Sequence, residues 1–225
     1  MNNSGNAIIV MLKAPRPGFV KTRLTPSLTK EEAAVFYTCL IKDTFLNIGL
    51  SGQSIDVIAC VAKHEANAEL SDIIPEKVAV TCQKDGDLGQ KMYAAFVDAF
   101  ASGCRRVVMI GSDSPDMPKE YIAEAFLLLK AYKESLILGP SEDGGYYLIG
   151  LGTAKEAIFK GVDWGTSAVL SETLEIAKRE GIDAKLLPKW YDVDSFEDIG
   201  RLLKTGRAVN SIKYIKDNKL SWRTK

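Results

Sequence analysis

Histidine is almost missing from this chain of 225 residues: His64 stands alone. A Ser-His-Asp triad or a His-ligated zinc would have to rest on it, in a polar stretch, Lys63-His64-Glu65, that reads as the start of a surface helix. Catalysis should therefore run on carboxylates, cations and a hard metal. Cysteine gives no chemistry either. Cys39, Cys60, Cys82 and Cys104 occur singly, with no Cys-x-x-Cys pair, which argues against a zinc site or redox couple. Each has apolar neighbours, so all four are expected to behave as small hydrophobes in a cytoplasmic protein. An excess of either charge is also absent. Lys plus Arg and Asp plus Glu number 29 each, so the chain offers no general field for a polyanion, and nucleic acid is not an expected partner. No apolar run approaches the ~20 residues needed to span a bilayer. The polar opening Met1–Asn6 leads straight into a short apolar strand, which is not the pattern of a signal peptide.

What is present is a regular alternation. Ala7–Leu12 is a continuous apolar run, as expected of a strand buried on both faces. Ser54–Val61, Val78–Cys82, Arg106–Ile110, Leu136–Leu138, Tyr146–Leu151 and Ala184–Leu187 read as further strands. Helical patterns fall between them. A capping box at Thr29–Glu32 opens one with Ala33, Phe36, Tyr37, Leu40 and Ile41 on one side, stopped by Gly49. Others are expected at His64–Ile74, Leu88–Ala101, Pro118–Lys133, Ala154–Phe159, Ser167–Arg179 and from the Ser195 cap to Lys204. Repeated strand–helix units imply a mostly parallel sheet with helices on both faces. No compositional break marks a second folding unit. Residues 1–206 read as one domain, and 207–225 as a Lys-rich tail expected to be a docked helix, whose Trp222 could also meet a partner in a homodimer.

In open α/β sheets, ligands bind in the loops at the carboxyl ends of strands. Four such loops carry unusual polar residues. Directly after the first strand, Lys13, Arg16, Lys21 and Arg23 crowd one loop. Pro15 and Pro17 stiffen it, and Gly18 permits a turn that other residues resist. Such cations suit a diphosphate, because an Arg fork binds phosphate oxygens in pairs. The loop is neither a Walker A sequence nor Gly-x-Gly-x-x-Gly. After the Arg106–Ile110 strand comes Gly111-Ser112-Asp113-Ser114-Pro115-Asp116. Asp113 stands where a carboxylate can point into the crevice and hold Mg²⁺ beside substrate phosphates; Asp116 reads instead as a loop aspartate preparing the helix at Pro118. In Glu142-Asp143-Gly144-Gly145-Tyr146, Asp143 could be a general base or orient an acceptor hydroxyl, and Asp-Gly-Gly is equally a hairpin turn. In Asp192-Val193-Asp194, alternate residues face one side, as a second metal ligand would require. Asp194 could otherwise merely assist the start of the Ser195 helix.

Taken together, the basic loop, Gly-Ser-Asp-Ser-Pro, Asp-Gly-Gly-Tyr-Tyr-Leu-Ile-Gly-Leu and Asp-Val-Asp-Ser-Phe-Glu-Asp resemble the nucleotide-diphospho-sugar transferase superfamily over about Ala7–Leu203. The match is closest to the small glycosyltransferase-like proteins associated with arsenosugar biosynthesis, with phospholactate guanylyltransferase a more distant relative. The resemblance implies an A-type glycosyltransferase fold, a Rossmann-like three-layer sandwich with a mixed, mostly parallel sheet. It implies that Lys13, Lys21 and Arg23 hold nucleotide phosphates, with Asp87, Leu88 and Gly89 near the base or ribose. Asp113 would hold Mg²⁺ or Mn²⁺ with Asp194, Asp192 being its competitor as second ligand. Asp143, Gly144, Gly145, Tyr146, Trp164 and Thr166 would border the acceptor. Lys21, Arg23, Asp113 and Asp143 would carry catalysis. The activity so implied is glycosyl transfer from a nucleoside-diphosphate sugar to a small acceptor. Nucleotidyl transfer from an NTP and a non-catalytic nucleotide-binding regulator are the alternatives. The basic loop departs from sugar-nucleotide pyrophosphorylases in lacking their Gly-rich start.

Overall fold

The computed structural model describes residues 5–25, 27–50, 54–62 and 70–220. Among these residues, strands β1 (Asn6–Leu12), β2 (Asp56–Val61), β3 (Ala79–Cys82), β4 (Arg106–Ile110), β5 (Leu136–Pro140), β6 (Tyr146–Leu151) and β7 (Ala184–Leu186) form one sheet. Their order is β3-β2-β1-β4-β6-β5-β7. Helices α1 (Lys30–Leu50), α2 (Leu88–Ala101), α3 (Lys119–Ala131), α4 (Val169–Arg179), α5 (Phe196–Thr205) and α6 (Val209–Asp217) cover it on both sides.

Period-two alternation in β1 builds both layers. Ile8, Val10 and Leu12 point to a core shared with Phe36, Leu40, Ile122, Phe126, Ile199 and Ile215. Ala7 and Ile9 point to the opposite core, with Met92, Phe96, Val169 and Ile176. A strand covered on both faces has no polar side to show, which is why its sequence runs apolar without a break. Neighbouring strands are parallel except at β6, which runs antiparallel to both β4 and β5. The reversal is made by the Ser141–Gly145 turn, where Asp143 Oδ1 accepts the Gly145 N–H at 2.9 Å. Gly144 takes φ +94, and a Cβ there would meet the Ser167 carbonyl at 2.1 Å, so glycine is required twice over. The hairpin is therefore real. β1 and β4 lie side by side, Val10 opposite Ile110, so the loops that follow them leave from one edge of the sheet.

Several sequence expectations are corrected. Ala154–Phe159 is a short 3₁₀ turn, Glu156–Phe159, rather than an α-helix. The helix begun at Pro118 stops at Ala131, and the one expected from Ser167 starts at Val169. Most of the expected His64–Ile74 helix, His64 included, lies outside the described residues; Leu70 and Ile74 close a single turn. Cys82 is exposed, on an edge strand with all four residues exposed, and so does not pack as a hydrophobe.

The α6 helix has no side-chain cap of its own. Asp43, buried on α1, supplies one from a distance: its oxygens accept the first-turn N–H groups of Asn210 and Ser211 at 2.9 and 2.8 Å, and the Ser211 hydroxyl at 2.6 Å. A carboxylate there answers both the unpaired amides and the positive end of the helix dipole. Stacking of Phe36 on Tyr214 and full burial of Ile215 complete the contact.

Candidate active site

The loop after β1 ends in a backbone conformation unusual for its residue. Lys21 has φ 48 and ψ 40, the left-handed region, which costs a residue with a Cβ of order 1 kcal/mol or more. The result is a buried side chain aimed inward, with Nζ 2.5 Å from Asp113 Oδ1 and 2.9 Å from Asp194 Oδ1. Arg23 Nη1 reaches the other oxygen of Asp194 at 3.0 Å from the solvent side. Burial by itself would lower the Lys21 pKa; the charges of Asp113 and Asp194 more than offset it and hold the ammonium well above its ordinary range. Residues far apart in sequence thus meet at the carboxyl ends of β1 and β4.

Backbone pairing fixes the carboxylates. The Val193 N–H donates to the Asp113 carbonyl at 2.8 Å, which lays the Asp192–Asp194 segment along the loop after β4. Asp194 does not cap the following helix. Ser195 and Asp198 form that capping box themselves, and Asp198 Oδ2 also takes the Asp194 N–H at 3.2 Å. Asp192 behaves differently from Asp194. Its two oxygens accept the hydroxyls of Ser114 at 2.6 Å and Ser141 at 2.8 Å, tying three loops together. Burial, with the nearby Asp113 charge adding to it and the two serines opposing it, pushes its pKa up to about 6. Beneath Asp113, the hydroxyls of Tyr37 and buried Ser112 lie 2.8 Å apart, and Tyr37 also accepts the Lys13 N–H at 3.3 Å. Burial first, and then the Asp113 charge, push Tyr37 up to about 12, so it is a neutral support.

The raised Asp192 pKa has a consequence for stability. A carboxyl whose folded pKa lies above its unfolded value favours the fold below the unfolded pKa, and this contribution is lost as pH rises through the folded one. Asp192→Asn keeps partners for both serines, whose hydroxyls can rotate. The melting temperature of Asp192→Asn should therefore overtake that of the parent between pH about 4 and about 6 and stay above it at pH 8. A gap that closes at high pH would show that the Asp192 charge is not a burden to the fold.

Beside the charged cluster opens a cleft of about 900 Å³ lined by Lys13, Phe19, Lys21, Arg23, Asp113, Asp143, Tyr146, Trp164 and Asp194, among others. Trp164 stands edge-on to Tyr146 at 6.4 Å. Burial keeps the Tyr146 phenol well above its ordinary range, so it is a wall rather than an acid. The hairpin bearing Asp143 is clamped from outside by two 2.7 Å bonds from Arg201 to Glu142, with the Arg201 guanidinium stacked 3.9 Å over Tyr191.

Of the residues singled out from sequence, Lys13, Lys21, Arg23, Leu88, Asp113, Asp143, Gly145, Tyr146, Trp164, Thr166, Asp192 and Asp194 all border this one cleft. Three others do different work. Asp87 caps α2, accepting the Gln90 N–H at 2.8 Å. Gly89 lets α2 approach Trp164 and the Phe159 carbonyl, and Gly144 packs under Ser167. Asp116, read as preparing the helix at Pro118, is instead fully buried and accepts Tyr191, Thr205 and Trp190. Sequence reasoning missed Tyr37, Ser112, Ser114, Ser141 and Arg201. Only the serines flanking Asp113 and preceding Glu142 carried a local hint.

The donor set fits a hard divalent cation. Asp113 and Asp194 already share one positive charge and keep side chains 45% and 37% exposed. Among the described residues no third His, Cys, Asp or Glu completes a metal cluster. Such a pair suits Mg²⁺ or Mn²⁺ that takes its other oxygens from water and substrate phosphates.

The fold is that of nucleotide-using transferases. A crystal structure of a candidate nucleotide-diphospho-sugar transferase from Desulfovibrio desulfuricans G20 is 29% identical, with a TM-score of 0.88 over 97% of this chain and 98% of that one. A 2-phospho-L-lactate guanylyltransferase from Methanobrevibacter ruminantium is 26% identical over 206 residues, 87% of this chain and 84% of that protein. The manganese complex of Rv0371c from Mycobacterium tuberculosis H37Rv shares the fold, at 15% identity and a TM-score of 0.52 over 88% of this chain and 98% of that one. The chain belongs to the family described as an uncharacterized protein conserved in bacteria (DUF2064), whose model matches residues 49–166. No helix among the described residues is long and apolar enough to cross a membrane.

Proposed function

We propose that this protein is a divalent-metal-dependent glycosyltransferase, passing a sugar from a nucleoside diphosphate to a small acceptor. The observation that carries it is the meeting of Asp113, Asp194, Lys21 and Arg23 at the mouth of the cleft. Asp113 and Asp194 would hold Mg²⁺ or Mn²⁺, which when bound supplies positive charge to the diphosphate. The manganese in a protein of the same fold supports this choice of ion. Lys21 and Arg23 neutralise the charge that grows on the leaving phosphate as its bond to the sugar breaks. The acceptor oxygen forms the new bond, and its proton passes to Asp143 or to water. All four of Lys13, Leu88, Trp164 and Tyr146 border the cleft; in this reading Lys13 and Leu88 would meet the nucleotide, and Trp164 and Tyr146 the acceptor. The likeness to a sugar transferase across nearly the whole chain favours this reading.

Nucleotidyl transfer is the second reading, favoured by the similarity to a guanylyltransferase. There an acceptor phosphate attacks the α-phosphate of an NTP and pyrophosphate leaves. The same cations and carboxylates serve. A thermal-shift screen of nucleotides and nucleotide sugars, with and without Mg²⁺ or Mn²⁺, comes first. The donor should raise the melting temperature by about 5 °C or more near saturation, and only with metal. Release of nucleoside diphosphate then supports glycosyl transfer, and release of pyrophosphate supports the second reading. Stabilisation without turnover of any donor would instead mark a nucleotide-binding regulator. No stabilisation by any nucleotide sinks all three.

A further inference from the structure

We infer that Lys21 is a built-in counter-ion that closes the metal position until a diphosphate arrives, so that metal and diphosphate enter together. This rests on the reading of Asp113 and Asp194 as metal ligands. The Lys21 side chain is 3% exposed and its nitrogen sits 2.5 and 2.9 Å from one oxygen of each carboxylate. A divalent cation held by those two carboxylates would compete for the oxygens the ammonium now takes, so ammonium and metal would exclude one another by contact and by charge. The left-handed backbone at Lys21 directs the side chain there, and that side chain makes no capping bond to the Thr22–Leu24 turn it precedes.

Charge balance gives the exclusion its direction. Asp113, Asp194, Lys21 and Arg23 together are neutral. A divalent cation arriving alone must evict an ammonium that then has no anion to meet. A diphosphate arriving alone can draw Lys21 across, but leaves two carboxylates facing each other without a cation. Arriving together, the metal takes the carboxylates and the phosphate oxygens take the Lys21 hydrogen bonds. Arg23, 71% exposed on the same rim, already marks where those oxygens would lie. Each ligand therefore raises the affinity for the other, and by linkage the two factors are equal. A consequence is that a free metal ion does not occupy the site in the resting protein.

The test uses the whole chain and reads binding, not turnover. Mn²⁺ affinity is measured by equilibrium dialysis, alone and with inorganic pyrophosphate, for the parent, Lys21→Met and Lys21→Gly. Glycine tolerates the left-handed backbone, so the second variant carries the test if the first fails to fold. Both variants should bind Mn²⁺ alone about 10-fold or more tighter than the parent, while pyrophosphate no longer strengthens Mn²⁺ binding as it does in the parent. A parent that binds Mn²⁺ alone as tightly as the variants overturns the inference. Variants weakened toward both ligands overturn it too, by showing a structural role. Absence of Mn²⁺ binding by all three proteins, with and without pyrophosphate, would instead remove the metal from the proposed function.

Discussion

Asp113→Ala should cost about a thousandfold in turnover and leave the fold intact. Removing one preorganised charge or donor that acts on the reacting group typically costs 10²–10³ in rate, and Asp113 is asked both to hold the metal and to set the Lys21 ammonium. Its side chain is 45% exposed, so alanine creates no buried hole. Lys21 keeps Asp194 at 2.9 Å, so no buried ammonium is stranded. The measurement is initial rate with the donor found by the nucleotide screen, alongside a melting curve. Turnover within about tenfold of the parent would remove Asp113 from the chemistry. A collapse of the melting temperature would show that its role is structural.

Asp116→Ala should have the largest effect on stability, about 3 kcal/mol, from a position outside the cleft lining. Asp116 is 0% exposed and its oxygens accept Tyr191 at 2.6 Å, Thr205 at 2.7 Å and Trp190 at 3.4 Å. Alanine leaves the buried Tyr191 hydroxyl without this acceptor and takes a partner from Trp190 and from Thr205, which keeps the Leu202 carbonyl. A buried unpaired donor costs about 1–3 kcal/mol, and the other losses add to it. The network binds the loop after β4 to the Trp190–Tyr191 segment and to the end of α5, so its loss should loosen the frame that carries Asp192 and Asp194. A melting temperature lower by about 5–10 °C is expected. A shift under 2 °C would mean that water satisfies these groups as well as the carboxylate does.

Much of the fold was legible because local pattern and final burial agree. Arg106–Ile110, Tyr146–Leu151 and Leu88–Ala101 have the bounds their sequences suggested, since an apolar run or a 3.6-residue phase needs no distant partner to be recognised. The capping boxes at Thr29–Glu32 and Ser195–Asp198 formed for the same reason. The antiparallel course of β6 was half visible: Asp143-Gly144-Gly145 announced a turn, but which strand would accept β6 depends on sheet assembly. Asp87 and Asp116 show the limit from the other side. Both are loop aspartates beside a helix start, yet one is an exposed cap and the other the centre of a buried network. Burial is decided by elements that lie 74 or more residues further along the chain.

The sequence by itself narrowed which residue types would do chemistry: a single histidine turned the expectation toward carboxylates and cations, and post-strand loops gathered both. It also determined the layered α/β fold, because alternation of strand and helix patterns is a local property. Only the tertiary structure decided the pairing. It put Asp194 rather than Asp192 on the ammonium shared with Asp113, tied half-buried Asp192 to two serines, and set Lys21 between carboxylates 92 and 173 positions away. Electrostatic partnership falls off over a few ångströms, and no spacing along the chain encodes that distance until the sheet brings its strand ends together.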